Sequence, residues 1–381
     1  MKIRRFFVVC AAIAVFALAL AACPPGPDVP QPITITSPYS SINWTSFGQY
    51  KAGLHVHTSV DGGVNPPWEM IEDHYAKGYD IVAITDHDFV TPDWININDG
   101  LEQDRYYEIL SGSDRDGRGM LQIPYTNEQS VTYEDHLCSF FTNYKRTSTD
   151  EYEDVIRKVQ ELDGICHINH PGRFTNGFND VETGNQVSND PVNINKYVDL
   201  FMKYPNCAGM EIINKKDYES AADRILWDNI LKVTIPQNRY VWGFSSDDTH
   251  NADNTGYSFN VFLMPSNTLI NFRKAFLSGN FYAVAKVSKR ELGYDFVASG
   301  PTPVIKSITV DNSTITITAE NFDKIEWISD GVVLTTGITT NAVGATINIE
   351  ECANVGCYVR ANISGLGGIA FTQPFGIKKN R

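Results

Sequence analysis

The histidines of the chain are concentrated in one stretch, and several of them lie at regular spacings from other histidines or from acidic residues. All 8 of them lie between residues 55 and 250. His55 and His57 are separated by one residue in the run LHVHT, and on an extended strand two such side chains share one face. Both imidazoles can then reach one metal ion. The alternative is a pair of exposed strand histidines.

Acidic residues accompany further histidines just after apolar runs. His87 stands between Asp86 and Asp88 in ITDHD, and Asp248 and His250 repeat the one-residue spacing in SSDDTH. Carboxylates beside a ligand imidazole can orient it, and the ends of barrel strands are where active sites form. The alternative is solvated polar loops, but two spaced pairs together with single histidines at strand ends favour a metal site.

Single residues extend this candidate set. His170 follows an apolar run in INHPG, and Glu128 and His136 lie in the less regular stretch before it. Asp61 precedes Gly-Gly, where a turn aspartate is the alternative. Arg173 follows the His170 loop; its forked cation suits phosphate recognition, and a surface arginine is the alternative.

Three other residues have less specific surroundings. Glu211 lies in the apolar run MEIIN, where it either orients a ligand or closes the barrel. His74 falls within a helical stretch. His167 lies three residues before His170, and this odd offset turns it to the other face of a strand. We expect both of these histidines to be structural.

Short apolar runs alternate with amphipathic stretches between residues 50 and 288, and this alternation implies parallel strands with crossover helices. The predicted strands are Gly53–His57, Asp80–Thr85, Gly164–Ile168, Ala208–Ile213 and Tyr240–Phe244. The predicted helices are Pro67–Lys77, Asp150–Leu162, Ile194–Lys203, Glu219–Lys232 and Leu269–Ser278. After Ser299-Gly300-Pro301 the residues alternate with frequent Gly and Thr, which predicts a small β-sandwich-like domain.

The first residues have the layout of an export signal. Three cations precede an uncharged, mostly apolar run that ends in Leu-Ala-Ala-Cys23 and several prolines. This ending resembles the bacterial lipoprotein signal, in which the cysteine is lipidated and becomes the mature N-terminus. An ordinary signal peptide is the alternative. A lipid at Cys23 would anchor a soluble body to a membrane of the cell envelope, outside the cytoplasm.

Composition limits the remaining possibilities. The chain has 381 residues, of which 42% are hydrophobic and 20% charged, as in globular proteins with more than one domain. A net charge of −14 opposes extended binding to nucleic acid. The predicted division is a signal peptide, a proline-rich tether, a metal-dependent domain and a β-sandwich-like domain, at residues 1–22, 23–44, 45–300 and 301–381.

The order of the motifs resembles the PHP family, named for its polymerase and histidinol phosphatase members. The motifs that carry the resemblance run between residues 54 and 250 and are LHVHT, DGG, ITDHD, NEQS, DHL, NHP, MEIIN and SSDDTH. The resemblance covers roughly residues 45–290. It implies an α/β fold, a distorted, TIM-like (β/α)7 barrel that holds up to three metal ions.

The resemblance also implies which residues bind metal. One set is His55, His57, Glu128 and Asp248; a second is Asp61, His87 and His250; a third is Glu128, His136 and His170, with Glu128 as the bridge. Asp247 is an alternative to Asp248, although the DxH spacing favours Asp248. Asp86 and Asp88, with Glu211, are expected to support the ligands. These donors suit two or three divalent ions of zinc, manganese or iron.

A centre of this kind predicts a hydrolase for small phosphorylated substrates, a phosphatase or phosphodiesterase that uses metal-activated water. The residues expected to carry catalysis are His55, His57, His87, Glu128, Asp248 and His250. One alternative is a metal-dependent amidohydrolase, which also has HxH and a barrel but normally a metal-bridging lysine. The other is a non-catalytic surface lipoprotein whose C-terminal domain contacts wall or glycan.

Overall fold

The computed structural model describes residues 33–173 and 181–379. The predicted signal peptide and Cys23 lie outside them. The described helices are α1 (Pro67–Ala76), α2 (Gln103–Ser111), α3 (Tyr152–Glu161), α4 (Val181–Ser188), α5 (Pro191–Lys203), α6 (Asp223–Thr234), α7 (Leu269–Ser278) and α8 (Lys289–Leu292). Within the described ranges, none of them is long and apolar enough to cross a membrane.

The strands fall into an N-terminal and a C-terminal group. The first group is β1 (Ile33–Thr36), β2 (Gly48–Gly53), β3 (Ile81–Val82), β4 (Leu121–Gln122), β5 (Asn127–Ser130), β6 (His136–Phe140), β7 (Ile165–Ile168), β8 (Cys207–Asn214), β9 (Trp242–Ser246), β10 (Ser258–Met264) and β11 (Phe281–Ala285). The second is β12 (Val304–Asp311), β13 (Thr314–Glu320), β14 (Lys324–Ser329), β15 (Val332–Val333), β16 (Ile338–Asn341), β17 (Gly344–Asn348), β18 (Tyr358–Gly365), β19 (Gly368–Phe371) and β20 (Phe375–Lys379).

Helices form where apolar residues recur at helical spacing. In α3 the buried side chains are Tyr152, Val155, Ile156 and Val159, which form one stripe. Strands β7 and β8 are instead buried along their whole length, as expected of parallel strands covered on both faces. Helix α3 contacts β7, and α5 and α6 both contact β8, so the predicted alternation of strands and crossover helices is found here.

Two sheets, rather than one barrel, carry the N-terminal group. Strands β5 to β9 form a five-stranded sheet in sequence order, with β7, β8 and β9 parallel. Strands β2, β3 and β4 are parallel and belong to a larger sheet with β10 and β11. Only isolated bridges link the two sheets among the described residues, including His87 to Glu128 and Val56 to Thr249. The mixed α/β class is therefore confirmed, and the closed barrel is not.

The first predicted strand is displaced along the chain. Strand β2 ends at Gly53, and the segment from Leu54 to His57 forms one isolated bridge instead of a ladder. Its backbone is held at single points: the amide of His57 donates to Thr249 O at 2.9 Å and the amide of Thr85 to Val56 O at 2.8 Å. Extended backbone without a continuous neighbour explains why the two histidines lie beyond the strand end.

The C-terminal residues continue the larger sheet and add a second one. Strands β12, β13, β17 and β16 form a four-stranded antiparallel sheet. Strand β19 pairs with β11, so hydrogen bonding passes from the first group of strands into the second. Strand β1 pairs with β20, and Tyr39 and Ile42 are buried. The described end of the segment assigned to the tether is therefore docked on the body.

A buried ion pair joins helix α6 to strand β18. Asp228 accepts hydrogen bonds from Nε and Nη2 of Arg360, both at 2.8 Å, and from the hydroxyl of Tyr358 at 2.8 Å. Asp228 and Arg360 are only 4% and 3% exposed. A charge in such a place is stable only with its partner, because burial removes the water that would otherwise solvate it.

We expect Asp228→Ala to lower the free energy of unfolding by about 3–5 kcal/mol, because it leaves the guanidinium of Arg360 buried and unpaired. Urea unfolding followed by circular dichroism measures the change. Glu320→Ala is the matched control, since its pair with Lys306 is exposed and should contribute little. Equal stability of the two variants would show that α6 and β18 are not coupled through this pair.

Candidate metal centre

The predicted ligands converge on one buried carboxylate, that of Glu128 in β5. His55 and His57 follow β2, His87 follows β3, and Asp248 follows β9. Their segments lie along different strands of the two sheets and meet where the isolated bridges join them. The site therefore lies at the junction of the two sheets.

Five imidazoles surround Glu128, and each places one ring nitrogen beside its carboxylate. Oε1 lies 3.2 Å from Nε2 of His55, 3.0 Å from Nδ1 of His136 and 3.2 Å from Nε2 of His170; Oε2 lies 3.2 Å from Nε2 of His57 and 3.0 Å from Nε2 of His87. The carboxylate is fully buried. It thus occupies the position that the resemblance assigns to a bridging ligand.

Asp248 forms a second acidic point on the other side of the HxH pair. Its Oδ1 lies 3.6 Å from Nε2 of His55, 3.3 Å from Nε2 of His57 and 3.4 Å from Nδ1 of His250. Its Oδ2 lies 3.3 Å from the ammonium of Lys215. As predicted, the one-residue spacing of HxH turns both imidazoles toward common partners.

Further carboxylates fix the ring orientations from behind. Nδ1 of His55 lies 2.8 Å from Oε1 of Glu211, while Nδ1 of His57 and of His87 lie 3.1 and 2.6 Å from Oδ2 of Asp61. In each case the opposite ring nitrogen, Nε2, faces Glu128. A histidine held this way at Nδ1 presents Nε2 as a ligand atom.

The charges of the centre are strongly coupled. Burial disfavours the ionised form of Glu128, but His55 and hydrogen bonds from His136 and His170 outweigh it and hold the pKa of Glu128 well below its ordinary value. Burial likewise lowers the pKa of His55 and His57, yet the surrounding carboxylates raise both well above the ordinary value. The buried carboxylates therefore stabilise positive charge among the imidazoles that surround Glu128.

The donor atoms fit divalent cations. Nε2 of His55, Nε2 of His57 and Oε2 of Glu128 are buried and have no hydrogen-bond partner within the described ranges. Buried polar atoms in that state are costly unless something else satisfies them. Neutral imidazole with carboxylate is a donor set for zinc, manganese or iron, so cations coordinated here would satisfy these atoms.

Five groups of three residues bring potential ligand atoms within 4.8 Å of one another. They are His55/His57/Asp248, His57/His87/His250, His55/Glu128/His170, His87/Glu128/His136 and His57/Asp61/Asp86. All nine predicted ligands occur in at least one group, but the combinations differ from those that the resemblance implies: Asp61 groups with His57 and Asp86 instead of His87 and His250, and His136 and His170 lie in separate groups. The groups overlap at His57 and Glu128, so the described residues can hold more than one ion.

The two candidate aspartates in SSDDTH have different surroundings. Asp247 accepts hydrogen bonds from the hydroxyl of Tyr79 at 3.0 Å and from the amides of Gly256, Tyr257 and Ser258 at 2.6, 3.0 and 2.7 Å. These bonds hold the backbone of residues 256–258 in place, whereas Asp248 faces the histidines. This geometry agrees with the choice made from the DxH spacing.

The expected supporting residues differ in outcome. Asp86 accepts hydrogen bonds from the amide and hydroxyl of Thr58 at 2.6 and 2.8 Å, which fixes the loop after the HxH pair. Asp88 pairs with Arg146 at 2.8 Å, accepts a hydrogen bond from the amide of Ser130 at 3.1 Å, and donates its own amide to Glu128 O at 2.8 Å, so it supports strand β5 rather than a ligand imidazole. Arg173 ends a short turn; its side chain lies outside the described part, so its phosphate role stays a prediction.

The two remaining histidines lie outside the centre. His74 is fully buried in α1, with Nδ1 2.7 Å from Met70 O, and burial lowers its pKa to about 4. His167 is stacked on Phe244, with ring centroids 4.7 Å apart, and burial lowers its pKa to about 4 as well. Both sit among apolar neighbours, as the odd offset of His167 predicts.

Three further residues contact the carboxylates of the centre and were not predicted from the sequence. Asn169 donates from Nδ2 to Oε1 of Glu128 at 2.7 Å, and Asn214 donates to Oε2 of Glu211 at 2.9 Å. Lys215 pairs with Asp248 as described above. Asn169 follows β7, Asn214 is the last residue of β8, and Lys215 follows it, so the strand-end position that singled out the histidines would have identified them too.

Several solved structures are similar to this chain at low sequence identity. No family model and no curated protein matches the chain. A two-domain protein of Bacteroides vulgatus containing a predicted PHP-like metal-dependent phosphoesterase is 14% identical, with 92% of this chain and 100% of that chain covered and a TM-score of 0.46.

Two other solved structures are similar over shorter ranges. A putative metal-dependent phosphoesterase of Bifidobacterium adolescentis is 14% identical, with 54% and 89% covered and a TM-score of 0.32. An amidohydrolase of Chromobacterium violaceum is 12% identical, with 60% and 96% covered and a TM-score of 0.34. The solved structures similar to this chain include metal-dependent phosphoesterases. Because their sequence identity is low, the function of this chain must be inferred from the residues of its own site.

We expect Glu128→Ala to lower the bound metal per chain by more than His87→Ala does. Each of the two residues occurs in two of the ligand groups, but Glu128 is buried among five imidazoles, whereas His87 lies at the margin with its side chain 32% exposed. Loss of residues that merely support a ligand costs roughly 10–100-fold in metal affinity, so losing a shared ligand should cost at least that. Elemental analysis of folded protein measures the effect.

The controls separate metal loss from misfolding. His167→Phe replaces a buried histidine among aromatic neighbours and should keep the full metal complement. Glu128→Gln preserves volume and should resemble Glu128→Ala in metal content. A full complement in both Glu128 variants would transfer the bridging role to another acid, with Glu211 as the first candidate.

Proposed function

We propose that this protein is a metal-dependent phosphoesterase that hydrolyses small phosphorylated molecules. The observation that carries the proposal is the buried Glu128–Asp248 centre with its surrounding imidazoles. Divalent ions bound there would supply Lewis-acid activation of water and of phosphoryl oxygens. The protein's own groups would bind and orient those ions and the substrate.

The rim of the centre gives access to a substrate. The side chains of His87 and His250 are 32% and 38% exposed, whereas those of His55 and His57 are buried. The inner pair thus supports the site while the outer pair faces solvent. A cavity of about 530 Å³, lined in part by Asp248 and His250, opens on this side and is large enough for a small molecule.

Charge at the rim supports a phosphate ester over an amide. Two or three divalent ions would bring +4 to +6, against −4 from Asp61, Glu128, Glu211 and Asp248. Lys215 adds a further cation at the edge, where its side chain is 38% exposed. An excess of positive charge in a protein of net −14 favours an anionic substrate.

The amidohydrolase alternative has less support from these residues. That alternative expects a bridging lysine, but the position between the imidazoles is occupied by Glu128. Within the described ranges, Lys215 contacts the centre only through Asp248 at its rim. It therefore does not take the place of a bridge.

Removing metal should abolish activity, and adding it back should restore it. We expect chelator-treated protein to release no phosphate from a panel of phosphomonoesters and phosphodiesters, and one or more of manganese, zinc and iron to restore release. Asp248→Asn should lower kcat/KM by about 100-fold or more, in line with the loss of a ligand. Phosphate release and elemental analysis are the measurements.

Asp253→Asn is the matched control for Asp248→Asn, because Asp253 is exposed and lies in the same loop. It should retain the activity of the unaltered protein. Metal-dependent cleavage of N-acyl amino acids without any phosphate release would replace this proposal by the amidohydrolase alternative. Metal binding without either activity would favour the binding lipoprotein.

We further propose that the protein is anchored outside the cytoplasm through a lipid on Cys23. The support is the sequence Leu-Ala-Ala-Cys after a cationic start and an apolar run. Contact of the C-terminal region with wall or glycan, and the lack of extended nucleic-acid binding, likewise stay predictions.

Cys23→Ser should move the protein from the membrane fraction to the soluble fraction, because the thiol that accepts the lipid is gone. Fractionation with immunodetection and metabolic labelling with a fatty acid measure the two effects. Cys352→Ser, a change in the β-rich C-terminal region, serves as the control and should leave both unchanged. A Cys23 variant that stays in the membrane fraction would place the anchor elsewhere.

A further inference from the structure

The cavity beside the metal centre carries cations that the proposed chemistry does not use. Its lining includes Asp248 and His250 of the centre, and also Lys216, Tyr218 and Lys289. Lys215 lines it too, but the ammonium of Lys215 is already paired with Asp248. Lys216 and Lys289 come from separate segments, after β8 and at the start of α8.

Neither of these two ammonium groups is neutralised. Within residues 33–173 and 181–379, Lys216 and Lys289 form no ion pair with a carboxylate. Lys216 donates to Oδ1 of Asn254 at 3.1 Å, and its ammonium lies 4.1 Å from the ring centroid of Tyr257. The ammonium of Lys289 lies 5.2 Å from the ring centroid of Tyr218. These contacts hold the cations without cancelling their charge.

The acids that share the cavity are committed elsewhere. Asp247 accepts four hydrogen bonds from Tyr79 and the backbone after Thr255. Asp248 faces three imidazoles and Lys215. Two unneutralised cations at a concave surface therefore remain in a chain of net charge −14, and such an arrangement attracts anions.

The rest of the lining is not charged. Val287, the exposed ring of Tyr218 and the aliphatic stems of the lysines provide apolar surface. A ligand that fits would have an apolar or planar body between two anionic ends. One end would be the phosphate at the metal centre, and the other would meet Lys216 and Lys289.

We propose that the preferred substrate is a phosphate ester whose leaving group carries a second anionic group, bound by Lys216 and Lys289. This inference rests on the proposed function, because it takes the metal centre as the site of phosphate cleavage. It assigns substrate selection to two residues that make no contact with the metal-binding side chains within the described ranges.

Matched substrates test the preference directly. Phenyl phosphate and its 3-carboxy and 4-carboxy derivatives share one scissile bond and differ in the second anion. We expect metal-loaded protein to have a higher kcat/KM for at least one carboxyphenyl phosphate. Because a hydrogen bond between two charged groups is stronger than one to a neutral amide, Lys216→Gln or Lys289→Gln should lower the ratio of the two kcat/KM values roughly tenfold.

Two further variants exclude a general effect of lost charge. Lys216→Arg keeps the cation and should retain most of the ratio. Lys274→Gln alters an exposed lysine of α7 that does not line the cavity, so it should leave the ratio unchanged. An unchanged ratio in both glutamine variants, or an equal fall in Lys274→Gln, would overturn the inference.

A binding measurement distinguishes failure of this inference from failure of the proposed function. Phenylphosphonate and carboxyphenylphosphonates are not hydrolysed, so calorimetric titration reports binding alone. Tighter binding of a carboxyphenylphosphonate, lost in Lys216→Gln, without turnover of any phosphate would leave the anion site standing and reject the phosphoesterase. Turnover of phenyl phosphate with no preference in either assay would reject the anion site alone.

Discussion

The buried carboxylate of Glu128 is the constraint on which the centre depends. A lone carboxylate without water would be protonated or expelled, but five imidazoles and the amide of Asn169 surround this one. They come from segments far apart in the chain, so the charge is stable only when the whole set has assembled. The centre can therefore form only when both sheets are in place, since neither sheet alone supplies enough partners for Glu128.

Bringing those partners together requires unusual backbone. His170, Lys215 and Asp248 follow β7, β8 and β9, and each has a positive φ, of 25°, 54° and 44°. For residues with a side chain this region costs about 1–3 kcal/mol each. The parallel strands that precede these residues hold the turns in this conformation despite its cost. The strain falls at strand ends because the side chains there must leave the strand direction to face a common point.

The local features of the site could be predicted from the sequence, whereas contacts between distant segments could not. The HxH spacing correctly predicted that both imidazoles face common partners, because side-chain direction in an extended segment is set within three residues. The odd offset of His167 worked for the same reason. Pairing between distant segments leaves no such trace: the bridge between His87 and Glu128, the docking of β1 on β20 and the split into two sheets depend on contacts across the fold. The support that Asp88 gives to β5, through the amides of Ser130 and of Asp88 itself, is likewise a long-range contact that ITDHD alone does not reveal.

The same buried charges link metal binding to folding. The carboxylates of Glu128 and Asp248 are balanced by histidines whose pKa values are raised well above normal, and Nε2 of His55, Nε2 of His57 and Oε2 of Glu128 have no hydrogen-bond partner in the part of the chain that the structure describes. A cation that replaces those protons also satisfies the ring nitrogens. Because the unfolded chain has no assembled site, binding free energy gained there adds to the stability of the fold. The junction of the two sheets, where few backbone hydrogen bonds connect them, would gain most, since ligands from both sheets would then share the same ions.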